Sequence, residues 1–158
     1  MAHFYIIGGR KLGGTVTIGG AKNSVLKILP ASILIDGAVT IKNVPAIEDV
    51  DRMVELLKEC GATISSADRG TLQVNARTIT TSAVSEDRAK RLRASILLVG
   101  PLLARFGSVS FPHPGGCVIG QRPIDLFLDG FAALGARIHS DLSGKYPVYQ
   151  IDGKRLRG

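Results

Sequence analysis

The chain nearly repeats itself at an offset of 70 residues, and that narrows the available architectures more than any other feature. Lys22 to Gly37 (KNSVLKILPASILIDG) lies over Leu92 to Gly107 (LRASILLVGPLLARFG), two long apolar segments that each end at a glycine. Alternating patterns follow, GAVTI (Gly37 to Ile41) and GSVSF (Gly107 to Phe111), and both predict strands. Amphipathic runs come next, at Ile47–Glu59 and Pro123–Leu134. The first puts Ile47, Val50, Val54 and Leu57 on one helical face; the second does so with Ile124, Phe127, Phe131 and Leu134. CGATI (Cys60 to Ile64) and LGARI (Leu134 to Ile138) then open a strand, and TLQVN (Thr71 to Asn75) and YPVYQI (Tyr146 to Ile151) close each copy.

The pattern predicts a mixed α+β chain of two strand–helix–strand–helix–strand–strand units, with leading strands at Gly14–Ile18 and Arg77–Thr80. The first helix of each unit is apolar all round and is expected to be buried. The second, being amphipathic, belongs at the surface.

At 158 residues, 45% hydrophobic and 21% charged, the chain has the composition of a globular domain with an aliphatic core. Two cysteines make no disulfide framework and fit no metal-ligand spacing, and no signal peptide is read, so a reducing cytoplasm is expected. The most apolar run, Ala94 to Ala104, falls well short of the roughly 18 residues of a membrane span. A net charge of +7 invites a nucleic-acid reading, yet the basic residues are scattered and no nucleic-acid-binding signature is present. Attraction of a small anionic substrate is the other use of such a field. GGAKNS lacks the phosphate-loop spacing, no dinucleotide fingerprint follows a strand, and no Ser-His-Asp elbow is visible.

Two places carry chemistry. Asn23 and Arg93 are equivalent in the repeat, each at the start of a first helix, with Lys22 beside Asn23. Cations there oppose the helix dipole, which makes sense around an anionic ligand, with Gly19-Gly20 allowing a close approach. The alternative is that Lys22 and Arg93 are ordinary surface residues at helix ends. The second place is FPHPGGCVIGQRP (Phe111 to Pro123). The repeat spacing from Gly37 to Gly61 is 24 residues and from Gly107 to Gly135 is 28, so this loop elaborates a plain turn. Cys117 lies near Arg122, whose charge favours the thiolate for nucleophilic or acid–base work. A tucked-in structural thiol is the competing reading. Pro123 fits the first turn of a helix, which makes Arg122 a third cation at a helix start, and Asp125 can accept hydrogen bonds or favour its own helix dipole. His113, between prolines with no evident carboxylate partner, reads as a loop residue; His3, His139 and Cys60 read as structural.

The motifs GGAKNSVLKIL, NVPAIEDV, LRASILLVGPLLARFG and above all PGGCVIGQRPIDL resemble those of the UDP-N-acetylglucosamine 1-carboxyvinyltransferases, enolpyruvyl transferases of peptidoglycan synthesis. The resemblance runs essentially the whole length of the chain. It implies an inside-out α/β barrel of two lobes, each of three βαβαββ units, with the site in the cleft between them. It implies transfer of the enolpyruvyl group of phosphoenolpyruvate to the 3-hydroxyl of UDP-N-acetylglucosamine with loss of phosphate, and no cofactor, nucleic acid or membrane partner. By matching motifs, Cys117 is the general acid that can also form a covalent adduct. Lys22, Asn23 and Arg122 contact phosphoenolpyruvate; Arg93, Arg122, Pro123, Ile124, Asp125 and Leu126 contact the UDP-sugar.

On the same basis residues 1–21 are strands of the second lobe, 22–76 the first unit, and 77–158 the second unit with the cysteine loop at 112–122. The third unit and the rest of the second lobe, with a catalytic aspartate and arginine, are absent, so a fragment with little activity alone is expected. The rival readings are the related transferase acting on shikimate 3-phosphate, a UDP-sugar-binding remnant without catalysis, and a basic RNA-binding domain. The cysteine loop is foreign to the shikimate enzyme's signature.

Overall fold

The computed structural model describes residues 3–115 and 123–158. The first unit comprises α1 (Lys22–Ala31) running into a 3-10 turn (Ser32–Leu34), β1 (Ala38–Ile41), α2 (Glu48–Glu59), β2 (Thr63–Asp68) and β3 (Thr71–Asn75). A short α3 (Glu86–Ala89) leads to the second unit. That unit comprises a 3-10 turn (Arg93–Leu98) running into α4 (Val99–Phe106), β4 (Ser108–Pro112), α5 (Asp125–Ala133), β5 (Arg137–Asp141) and β6 (Val148–Asp152).

The repeat is visible in the sheets. One has the order β1-β3-β2 and the other β4-β6-β5, all antiparallel. Val74 lies between Val39 and Ile64 in the first, and Ile151 between Val109 and Ile138 in the second. These triplets face the helices; Val74 and Ile151 are almost fully buried.

Leu29 and Ile33 of the first unit and Leu98, Leu102 and Leu103 of the second share one core with Met53, Leu56 and Leu57 of α2. Burying each such side chain contributes about 1.5–3 kcal/mol. Pro30 and Pro101 lack the N–H that would continue an α-helical ladder, and each lies near a junction between α and 3-10 geometry. In the first unit Ser32 Oγ donates to Leu29 O at 2.6 Å, satisfying a carbonyl there.

Three expectations differ from the structure. Gly14–Ile18 carries no strand, and its apolar residues Val16 and Ile18 are more than four-fifths exposed. A strand needs a neighbour to take its backbone groups, and none lies beside this segment among the described residues. Arg77–Thr80 carries no strand either; the chain meets β4 slightly further on at a single bridge, where Ala83 pairs with Ser110 in parallel and Val84 N donates to Ser110 O at 2.9 Å. The first helices are not wholly buried: Ile28 is 47% exposed, and Leu34 and Ile35 beyond it are 55% and 51% exposed. Two units wrap only part of the circumference that an all-apolar helix presents. The amphipathic reading of α2 holds, with Val50, Met53, Leu56 and Leu57 buried, whereas α5 buries none of its residues.

Candidate functional site

Lys22 and Asn23 open α1, and Arg93 opens the 3-10 turn of the second unit. Because α1 packs beside that turn, these equivalent starts come together. Lys22, Asn23, Leu26, Asp49, Arg93 and Phe127 line a hollow of about 400 Å³. Leu26 is buried in its floor, and Phe127 reaches it from α5.

Each cation has a restraint. The Lys22 ammonium pairs with the Asp49 carboxylate in the first turn of α2. Lys22 is 55% exposed, so the pair adds little stability; its effect is on where the charge sits. Arg93 Nη2 donates to Pro123 O at 3.0 Å, and its other N–H donors meet no partner among the described residues. The Gly19-Gly20 step serves a different contact from the expected one. A Cβ on Gly20 would meet Asn43 O at 1.7 Å, so the glycine lets two backbones cross rather than admitting a ligand.

Cys117 and Arg122 lie outside the described residues. What precedes them is held firmly: Gly115 N donates to Ala89 O at 3.2 Å, and a Cβ there would fall 2.2 Å from Lys90 O. On the far side Ile124 is buried, while Pro123, Asp125 and Leu126 are exposed, Leu126 to 87%. Helix α5 starts at Asp125, not at Pro123 as predicted. Ile124 has φ −113° and ψ 6°, outside the helical range, and Pro123 O is occupied by Arg93. Asp125 therefore stands in the first turn, where a carboxylate favours the dipole.

Sequence reasoning missed Asp49, Phe127, His113 and Tyr149. No carboxylate lies near His113 in the sequence, but in the fold the charges of Arg93 and Asp125 both act on its ring. Its Nδ1 is 3.4 Å from Tyr149 Oη, and the Tyr149 ring stacks on Phe111 with centroids 5.2 Å apart. Burial, then Arg93, pushes the His113 pKa down, while Asp125 opposes them. Burial and then Asp125 push the Tyr149 phenol up. Only the first-turn acid of α2, opposite a lysine at the start of α1, was a signal that pattern reading had in hand. Cys60 is buried as expected, and burial followed by Glu59 raises its thiol to about 11.

Two antiparallel three-stranded sheets on shared helices, with cations gathered where those helices begin, place the chain in the enolpyruvyl-transferase fold class. The enolpyruvyl transferase NikO from Streptomyces tendae superposes with a TM-score of 0.75 at 23% identity, over 94% of this chain and 32% of that one. EPSP synthase from Acinetobacter baumannii gives 0.68 at 18%, over 92% and 33%. The chain belongs to the EPSP synthase (3-phosphoshikimate 1-carboxyvinyltransferase) family, whose sequence model matches residues 6–158. Among curated relatives, the UDP-N-acetylglucosamine 1-carboxyvinyltransferase of Coxiella burnetii (strain RSA 493 / Nine Mile phase I) is 46% identical over all 158 residues, and that of Trichlorobacter lovleyi 49%. The chain spans 36% and 37% of those two proteins.

Proposed function

We propose that this chain supplies part of the site that moves the enolpyruvyl group of phosphoenolpyruvate to the 3-hydroxyl of UDP-N-acetylglucosamine. The observation that carries the reading is the hollow in which Lys22, Asn23 and Arg93 meet. Two multiply anionic substrates need several fixed cations, and a departing phosphate needs them again. Lys22 and Asn23 would face phosphoenolpyruvate, joined by Arg122. Arg93, with Pro123, Ile124, Asp125, Leu126 and Arg122, would face the UDP-sugar.

In the reaction the sugar hydroxyl oxygen would bond to C2 of phosphoenolpyruvate and give its proton to a base, while C3 gains a proton from the Cys117 thiol. A base then takes a proton from C3, the C2–O bond to phosphate breaks and the C2–C3 double bond re-forms; of the two protons taken up, one restores the thiol and the other goes to the departing phosphate. The curated relatives' names favour the nucleotide sugar over shikimate 3-phosphate as acceptor. On this reading residues 1–21 pair with a second lobe, 22–76 form the first unit, and 77–158 form the second. The near-complete exposure of Phe4, Tyr5, Ile6, Ile7 and Leu12 supports the first assignment.

Alkylation tests the proposal. UDP-N-acetylglucosamine should slow iodoacetamide labelling of Cys117 while Cys60 stays unlabelled throughout. Labelling of Cys117 at the same rate with and without the sugar nucleotide would overturn it. Salt-sensitive RNA binding without such protection would favour the basic-domain reading.

A further inference from the structure

We propose that Phe127 is the platform for the acceptor sugar: its ring, with Leu26 and Leu97 in the same hollow, takes the C–H face of the glucosamine ring and so orients the 3-hydroxyl. This rests on the reading above, in which the sugar nucleotide enters the hollow that Lys22 and Arg93 line.

Helical spacing puts Ile124, Phe127, Leu128 and Phe131 on one face at the start of α5. The others have protein beneath them. Ile124 is 1% exposed, and Leu128 and Phe131 pack against the shared core. The Phe131 ring reaches α4, its Cζ lying 3.9 Å from where a Cβ on Gly100 would stand. Phe127 is the exception. It sits among these packed neighbours yet is 43% exposed, because what it lines is the hollow and not the core. Its backbone N–H donates to Ile124 O at 2.9 Å, so the ring is carried on backbone already held in the helix.

The hollow has two kinds of wall. Lys22 and Arg93 bring charge; Leu26, Leu97 and Phe127 bring hydrocarbon. Inorganic phosphate, or phosphoenolpyruvate with a charge at each end, gains nothing from hydrocarbon and loses water against it. A ligand that uses both walls carries an anion and an apolar face close together, within a space of about 400 Å³. A nucleotide sugar does so, because its diphosphate is bonded directly to a pyranose ring whose faces are C–H. An aromatic ring offers such a face a large, stiff contact. Hydroxyls at the sugar's edge stay free for polar partners, and the Asn23 amide both donates and accepts. The sugar and not the uracil belongs here, since its 3-hydroxyl must reach the phosphoenolpyruvate that Lys22 and Asn23 would hold.

The test uses this chain, titrated calorimetrically with UDP and with UDP-N-acetylglucosamine, each variant's fold being checked by circular dichroism. Phe127→Ala should weaken binding of the sugar nucleotide roughly tenfold and leave UDP within about twofold. Phe127→Tyr, which keeps the ring, should recover most of that loss. A loss shared equally by UDP, or no loss for the sugar nucleotide, would overturn the platform and leave the nucleotide reading standing. If neither nucleotide binds the unaltered chain, the nucleotide reading is what falls. The platform is then decided by the Phe127 ring-proton resonances of the unaltered chain, titrated with N-acetylglucosamine 1-phosphate; they decide it equally if the alanine variant fails to fold. Those resonances should shift as the sugar is added, and no shift would overturn the proposal.

Discussion

Asp49 shows how a residue can matter to a site while adding almost nothing to the fold. Its carboxylate restrains the Lys22 ammonium, but the lysine is more than half exposed and the pair is screened by solvent. Asp49→Asn should therefore change unfolding free energy in urea by less than about 1 kcal/mol. Cys60 is the opposite case. Its thiol is raised from an ordinary 9.0 to about 11, so the folded chain holds the proton more tightly than the unfolded one. Stability from this group is complete below pH 9.0 and is lost as pH rises through about 11. The loss should reach at most roughly 3 kcal/mol and vanish in Cys60→Ala, as measured by denaturation between pH 8 and pH 11. The two cysteines were separable in the sequence, one closing a helix and one behind Pro-Gly-Gly. The pairing of Lys22 was not, because no local pattern says which carboxylate of another helix faces a given lysine.

At the scale of elements, the docking of the segment before the cysteine loop depends on a missing side chain. Gly115 meets the backbone of Lys90, which cannot swing aside as a side-chain tip does. Gly115→Ala should cost roughly 1–3 kcal/mol of stability. It should also speed hydrogen exchange at residue 115, whose N–H bonds to Ala89 O. Periodicity located the positions of α2 and α5, though only α2 buries a face, and alternation located all six strands of the two sheets. It failed where an element's existence depends on a partner. Gly14–Ile18 alternates as a strand should, yet alternation supplies no hydrogen bonds. Pro123 has the residue type for a helix start, yet Arg93 competes for its carbonyl from thirty residues away.

For the whole molecule, the exposed apolar residues are the ones to watch. Ile28, Leu34 and Ile35 form the uncovered side of the first helix and its 3-10 extension, and Phe4, Tyr5, Ile6 and Ile7 stand in solvent. Exposed apolar surface of this kind drives association. The chain should bind a hydrophobic dye and sediment with a concentration-dependent mass, and Leu34→Ser with Ile35→Ser should reduce both signals. Unchanged dye binding in that double variant would mean the surface lies elsewhere. The duplication was legible because apolar length and terminal glycines survive in both copies; the incomplete wrapping was not, since an all-apolar helix reads alike whether or not neighbours enclose it.

The register of the second sheet has a consequence for descent. Among the described residues, every rung joining β4, β5 and β6 lies outside the stretch between His113 and Asp125. Residues can be gained, lost or exchanged in that stretch without sliding one strand past another. The framework thus serves as a socket whose insert can be refitted over generations while the surrounding masonry stays as it was.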